Sequence, residues 1–282
     1  MTNDRTILIT GVTGHQGGAV ARALQGRGFR LRGLTRHPDG DRAAALARDG
    51  VAIVTGDLND AAALRKALAG AWGVFGVQTP LNEGVEQEEA QGKRLATLAR
   101  DAGVEHYVYT SVGSADKRTG VPHFDSKWRI EDTVRGLSFP SHVILRPVFF
   151  MENLLTSYSF QGDTLASAIR PTTKVQMIAV DDIGWFGARA FTDAATLNRR
   201  EIDLAGDVRT MPEAAAILGE AFALSIVFAQ TPIEQVRQYS EDTALMLEWF
   251  DRVGFSADIG GLEREFGRPL TKLPDWARRQ AR

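Results

Sequence analysis

The sequence predicts an α/β protein with a doubly wound parallel sheet and a smaller α+β lobe toward its C-terminal side. Three observations carry that expectation. Short apolar, β-branched runs alternate with Ala- and Leu-rich helical patterns from Arg5 to about residue 145, the order that parallel strands joined by right-handed crossovers require. The first run breaks into a loop holding Gly11, Gly14 and Gly17 and passes straight into a helical pattern. From Glu201 onward the alternation gives way to a short strand followed by clustered helices.

The bulk properties narrow the class. A chain of 282 residues suits one large α/β domain, or a nucleotide domain with a smaller lobe. With 33 Lys and Arg against 35 Asp and Glu, the formal net charge of −2 gives no basis for a nucleic-acid or anionic-membrane partner. The absence of cysteine excludes disulfides, thiolate nucleophiles and Cys-based metal sites, and fits a reducing compartment. No His/Glu spacing suits zinc, so no metal is expected. No apolar run approaches about 18 residues, and no basic, then apolar leader opens the chain. A cytoplasmic protein is the expectation.

Arg5 to Thr10 reads as a buried strand, and Ala19, Val20, Ala23 and Leu24 set the helix beyond the glycine loop. Strand, Gly-rich turn and helix N-terminus in that order make the phosphate cradle of a dinucleotide-binding fold. One glycine permits the tight turn, one lets backbone N–H groups approach a pyrophosphate, and one lets the helix pack closely on the strand. The helix start offers N–H groups and partial positive charge to phosphates. The second strand, Arg30 to Leu34, runs into Thr35-Arg36-His37, with no carboxylate before Asp39. An acidic residue there would bond the ribose hydroxyls of NAD, whereas an arginine suits the 2′-phosphate of NADP. Arg36 therefore points to NADP(H), the alternative being a solvated loop arginine.

A short helix from Asp41 to Arg48 and a strand from Val51 to Val54 precede Gly56-Asp57-Leu58. Ligands sit at strand carboxyl ends in such sheets, so Asp57 and Leu58 are placed to border an adenine ring; Asp57 serves equally well as cap for a helix over 60–68. The fourth strand, Trp72 to Val77, ends in Gln78-Thr79-Pro80, a turn expected to pass under the cofactor's phosphates and ribose. Gly84 to Ala102 is a long amphipathic helix whose Leu95, Leu98 and Ala99 face suits core packing or a subunit contact, hence a homodimer. The fifth strand, His106 to Thr110, delivers Ser111 to the sheet's carboxyl edge, where its hydroxyl could polarise a substrate carbonyl or simply bond nearby backbone.

Pro122 to Glu131 opens a helix on which His123 and Lys127 fall four apart, on one face. A lysine over the cofactor can bond the nicotinamide ribose and lower the pKa of a neighbouring acid, and His123 would then sit close enough to donate a proton; taken alone, each reads equally as a solvated helix residue, and their joint placement after Ser111 favours the functional reading. A sixth strand, Ser141 to Leu145, ends at Arg146-Pro147, and Phe149, Phe150 and Met151 then form an apolar cluster that reads as plain core or as one wall of a pocket. Residues 155–173, rich in Ser, Thr and Gly, read as a surface excursion over that pocket. Lys174 to Ala179 is a further strand, and Asp181-Asp182 reads as the N-cap of a helix to about Asp193 rather than as a metal site. The last part carries a strand at Glu201 to Leu204, helices over 211–222, 232–239 and 241–253, and a basic tail. Trp249, Phe250 and Phe255 either line the pocket or pack this lobe.

Together, Thr10-Gly11-Val12-Thr13-Gly14-His15-Gln16-Gly17-Gly18, Thr35-Arg36, Gly56-Asp57, His123-Phe124-Asp125-Ser126-Lys127 and Arg146 to Asn153 resemble the NmrA-like family, atypical members of the short-chain dehydrogenase/reductase superfamily. The resemblance implies a Rossmann-type NADP-binding domain over 1–153, which also receives the strand and helix of 174–193, and a smaller C-terminal substrate or partner lobe over 154–282. It implies NADP(H) held by Gly11, Val12, Thr13, Gly14, His15, Gln16 and Gly17, by Arg36, Asp57 and Leu58, by Gln78, Thr79 and Pro80, by Lys127, and by Phe150, Met151, Glu152 and Asn153. The superfamily's usual active site is a serine followed by Tyr-x-x-x-Lys. Ser111 and Lys127 match, but His123 stands in the tyrosine position. The family itself divides into reductases of quinones or phenylpropanoids and NADP(H)-binding redox regulators. Two functions follow as expectations: an NADPH-dependent oxidoreductase acting on a small apolar or aromatic quinone, enone or carbonyl compound through Lys127, His123 and Ser111, or a non-catalytic redox sensor that regulates a partner protein.

Overall fold

The computed structural model describes residues 5–79 and 83–281. In chain order the elements begin β1 (Thr6–Ile9), α1 (His15–Leu24), β2 (Arg30–Thr35), α2 (Asp41–Arg48), β3 (Ala52–Thr55), α3 (Ala61–Leu68), β4 (Ala71–Gly76), α4 (Val85–Asp101), β5 (His106–Thr110), α5 (Pro122–Gly136) and β6 (Ser141–Pro147). They continue β7 (Phe149–Phe150), β8 (Phe160–Gln161), β9 (Thr164–Ser167), β10 (Val175–Ile178), α6 (Val180–Thr192), β11 (Glu201–Leu204), β12 (Asp207–Arg209), α7 (Met211–Phe222), β13 (Val227–Gln230), α8 (Ile233–Tyr239), α9 (Glu241–Arg252), α10 (Ile259–Phe266) and α11 (Leu273–Gln280). The chain forms two compact units: residues to Ser111 with Ser126–Arg146 and Ile183–Ile202, and Val112–Asp125 with Pro147–Asp182 and residues from Asp203.

The first unit is organised by a seven-stranded sheet in the order β11-β6-β5-β4-β1-β2-β3. Every pair from β6 through β3 is parallel, the doubly wound arrangement expected from the alternating pattern. Leu8, Val74, Tyr107, Tyr109 and Ile144 point to one face, against Leu64 and Leu68 of α3, Leu95 and Ala99 of α4, and Ile130 and Val134 of α5. On the other face α6 packs on α1 closely enough that a Cβ on Gly184 would lie 2.7 Å from the Ala19 carbonyl oxygen. A Cβ on Gly73 of β4 would meet the Phe191 ring at 2.9 Å. A buried ion-pair network closes the β6 side: Arg146 Nε donates to Glu131 Oε1 at 2.9 Å and its Nη2 to Glu201 Oε2 at 2.5 Å.

The second unit contains two three-stranded sheets, β12-β10-β7 and β13-β9-β8, and helices α7 to α11. Its core takes in Trp249 and Phe250 as fully packed side chains with Phe255 against them, which answers the alternative left open for those aromatics. Residues 155–173 are exposed over much of their length, as a surface excursion would be, but they are paired into the β8–β9 hairpin and bury Leu165 and Ile169. The pairing that makes this possible comes from β13, some sixty residues later, where Phe228 registers with Leu165. Asp182 is not an N-cap; its buried carboxylate accepts from Arg268 Nη2 at 3.0 Å and Thr271 N–H at 2.8 Å. Among the described residues, no group of acidic or histidine side chains could hold a metal, and no helix is long and apolar enough to cross a membrane.

Candidate functional site

The glycine loop lies between β1 and α1, at the point where the strand order reverses from β1 to β4. Gly11 has φ +56°, and a Cβ there would lie 2.8 Å from Val77 Cγ1. A Cβ on Gly17 would lie 2.6 Å from the Thr10 carbonyl oxygen, so loop and helix approach as only glycine allows. Gly14 stands at the N-cap of α1 without a side-chain cap, leaving the first-turn N–H groups of His15, Gln16 and Gly17 without that partner. Thr10 Oγ1 accepts from Val77 N–H at 2.9 Å and thereby ties the carboxyl ends of β1 and β4. Val12 is buried beneath the loop, Thr13 carbonyl accepts from Arg42 Nη1 at 3.2 Å, and Gln16 Oε1 accepts from Thr110 Oγ1 at 2.6 Å. Arg42, an α2 cation at the rim of the cradle, was not anticipated.

Among the described residues, two buried polar side chains just past the strand ends have no partner. Gln78, after β4, is buried with both amide atoms unbonded, and Ser111 Oγ, after β5, is likewise buried and unbonded. Burying an amide or hydroxyl unpaired costs about 1–3 kcal/mol. A glycine cradle, an uncapped helix start and orphaned donors along one sheet edge fit a dinucleotide. Thr79 is exposed, and Pro80 lies outside the described residues.

Arg36 follows β2 with its side chain half exposed and its Nη1 3.4 Å from Glu83 Oε1 and 3.8 Å from Asp57 Oδ2. Asp57 Oδ1 accepts from Asn59 N–H at 2.7 Å, while Asp60 supplies the cap of α3 by accepting from the Ala62 and Ala63 N–H groups. Asp57 is therefore a turn residue beside Arg36, not the helix cap. The Leu58 carbonyl accepts from Arg94 Nη1 at 3.0 Å.

Lys127 on α5 makes the most buried ion pair of this group. Its Nζ stands 2.6 Å from Glu88 Oε1, and Ser126 Oγ donates to Glu88 Oε2 at 3.2 Å. The Glu88 side chain is fully buried and that of Lys127 is 11% exposed. The α4 helix thus carries chemistry that its apolar stripe concealed. Lys127 and Ser111 do not bond each other, since Ser111 Oγ has no partner.

His123, one turn before Lys127 on the same helix, is engaged within the second unit. Its Nδ1 lies 2.5 Å from Asp242 Oδ2, and its backbone N–H donates to Asp242 Oδ1 at 2.9 Å. Burial pushes the Asp242 carboxyl up, but the bonds and charge from His123 bring it below its ordinary value. Phe124 meets the His123 ring edge-on at 4.7 Å. Neither strand tyrosine can act as the missing acid: Tyr107 and Tyr109 are wholly buried, and burial raises both hydroxyls far beyond their ordinary range.

Phe149 and Phe150 are half-buried on β7, and Phe149 meets Phe250 edge-on at 6.3 Å. Met151 is a core side chain. Glu152 accepts from the Val180 N–H at 3.1 Å and the Trp276 indole N–H at 3.0 Å, and burial raises its carboxyl despite them. Asn153 is exposed.

A model of the NmrA-like family matches residues 3–279. The NmrA-like oxidoreductase himF of Aspergillus japonicus is 34% identical over 53% of this chain, a match that spans 48%, about half, of that relative's length. An NADPH-dependent quinone oxidoreductase, QOR2 of Escherichia coli, solved with NADPH, shares the fold with a TM-score of 0.81 at 23% identity, covering 98% of this chain and 100% of that one. The negative transcriptional regulator NmrA, solved with NAD, does so with a TM-score of 0.80 at 20% identity, covering 98% and 94%.

Proposed function

The chain belongs to the NmrA-like family, and from that premise we propose that it is an NADPH-dependent oxidoreductase in which His123 is the proton donor to a quinone, enone or carbonyl compound. The observation that carries this reading is the 2.5 Å contact of His123 Nδ1 with Asp242. The family position that holds tyrosine in the wider superfamily holds an imidazole here, and a proton donor must be held in place. Asp242 does this from both sides, with Oδ2 at 2.5 Å from the ring and Oδ1 accepting the backbone N–H of the same residue.

When bound, NADPH supplies the hydride. The glycine cradle and the α1 N-terminus would hold the pyrophosphate, Arg36 the 2′-phosphate, and Gln78 and Ser111 would find in the ligand the partners they lack in the protein. Glu88 holds the Lys127 ammonium in one place, as a ribose-binding cation requires. Phe149 and Phe150 are half-buried aromatic side chains of the second unit, of the kind an apolar quinone, enone or carbonyl compound would take. We assign the reaction to the cytoplasm, where NADPH is supplied.

One observation favours a second reading. Lys127 is already neutralised by a buried carboxylate, which suits an NADP(H)-binding redox sensor that turns nothing over. NADPH oxidation against a panel of quinones and aromatic carbonyl compounds, with NADH in parallel, separates the two. Turnover favouring NADPH supports the reductase; binding of NADPH without turnover of any panel member refutes it. Within the reductase reading, Asp242→Asn lowers kcat about ten- to a hundredfold with the KM for NADPH within twofold. An unchanged kcat removes His123 as the acid.

A further inference from the structure

The polar cluster around Arg36 contains a carboxylate that the cofactor assignment does not use. Glu83 Oε1 lies 3.4 Å from Arg36 Nη1. Its other oxygen, Oε2, accepts from Asn59 Nδ2 at 2.8 Å and from Gln91 Nε2 at 2.9 Å. Asn59 is in turn braced by Gln87 and by Gln91, whose Nε2 stands 3.3 Å from Asn59 Oδ1. One anion is thus gripped by a guanidinium and two side-chain amides gathered from the β2 end, the β3–α3 turn and α4. That donor set is also suited to a phosphate monoester: a planar cation flanked by neutral N–H donors.

We infer that Glu83 is an internal stand-in for the 2′-phosphate, a specificity-determining residue that competes with NADPH for Arg36 and leaves NADH unopposed. The inference rests on the assignment of Arg36 to the 2′-phosphate. Arg36 Nη1 already faces two carboxylates, and only one of them is free to leave. Asp57 is held in its own turn by the Asn59 N–H and stands farther off, at 3.8 Å. The Glu83 side chain is 31% exposed, and among the described residues its carboxylate is held by side chains rather than backbone. A dianionic phosphate reaching Arg36 brings like charge against Glu83, so the carboxylate must give up the guanidinium and both amides. NADH carries only a ribose hydroxyl at that place and has no such conflict; Glu83 stays on Arg36.

The sign of the effect separates this role from a supporting one. A carboxylate that merely orients Arg36 would, on removal, weaken binding of the phosphate. A competing carboxylate would, on removal, strengthen it. Glu83→Gln keeps an oxygen for Asn59 and Gln91 while deleting the charge, and Glu83→Ala deletes the bonds as well. Two fragments probe the subsite without any turnover: 2′,5′-ADP, which carries the 2′-phosphate, and 5′-ADP, which does not.

Isothermal titration of both fragments into the wild type, Glu83→Gln, Glu83→Ala and Arg36→Ala at low salt tests the proposal. Both Glu83 variants are expected to bind 2′,5′-ADP about tenfold more tightly, the scale of one unit charge acting on a dianion a few ångströms away at a wet surface, and 5′-ADP within twofold of wild type. The gain should shrink as salt rises. Unchanged or weaker 2′,5′-ADP binding in Glu83→Gln overturns the proposal, and so does an equal gain for 5′-ADP. If Arg36→Ala leaves 2′,5′-ADP affinity intact, the 2′-phosphate assignment itself fails; if Arg36→Ala weakens it while Glu83→Gln does nothing, only the role of Glu83 fails.

Discussion

Replacing Lys127 is the direct probe of the proposed catalysis, and the structure predicts that the simple replacement is not a clean one. Lys127 Nζ is 2.6 Å from Glu88 Oε1, and the glutamate side chain has no exposed surface. Lys127→Met keeps the apolar stem but leaves the Glu88 carboxylate buried with only the Ser126 hydroxyl, at 3.2 Å, among its described side-chain partners. Removing one member of a buried ion pair costs about 3–5 kcal/mol, because the other charge stays desolvated. Removing both is close to neutral. The Glu88→Gln/Lys127→Met double variant should therefore recover most of the loss, giving a coupling of about 3 kcal/mol in the four-protein cycle. Denaturant unfolding followed by circular dichroism measures it. A Lys127→Met stability within about 1 kcal/mol of wild type would refute the reasoning, because a desolvated, unpaired carboxylate cannot be that cheap. The practical result is that kcat should be compared in the double variant, where the ammonium is gone and the fold is not compromised.

Two further outcomes are expected. Burial holds the His106 ring down at about 4, against an ordinary value of 6.5. The unfolded chain then binds a proton between those values that the folded chain refuses, so stability is full above pH 6.5 and falls as pH drops toward 4, by about 3 kcal/mol for this group. Tm measured across that window should fall more steeply for wild type than for His106→Asn, and parallel profiles would contradict the assignment. Gly17→Ala places a methyl group against the backbone of Thr10 and Gly11; the loop must open, with about 1–3 kcal/mol lost in stability and NADPH binding lost in fluorescence titration. A variant that binds NADPH normally would show that the loop is not the cradle.

The nucleotide half was legible because its signals are local. The strand, glycine turn and helix of residues 5–24 lie consecutively, α2 begins and ends where its Ala-rich pattern does, and β5 matches its apolar run residue for residue. What escaped was set by distant partners. The β8–β9 hairpin looks like a polar excursion until β13 pairs with it, and α10 is disguised by Gly260 and Gly261 inside its first turn. The same holds for the site. His123 and Lys127 could be picked out from their spacing, but the two acids that hold them could not. Glu88 sits at the edge of an amphipathic helix where a solvated glutamate is ordinary, and Asp242 sits in the first turn of α9 where an acidic residue merely suits the helix dipole.

The packing of α6 on α1 reaches into how the protein is made. Gly184 and Gly187 leave room for Ala19 and Val20 of the very helix whose start we assign to the cradle. Some 165 residues separate these partners along the chain. Synthesis delivers the glycine loop first and its backing helix only after the whole of residues 112–182 has emerged, so the nascent chain exposes the apolar side of α1 throughout that interval. Contacts of such long sequence separation also slow refolding. Competence to hold a dinucleotide is therefore a late event, and a ribosome-bound chain stalled before Gly184 should expose the whole motif yet fail to retain the ligand.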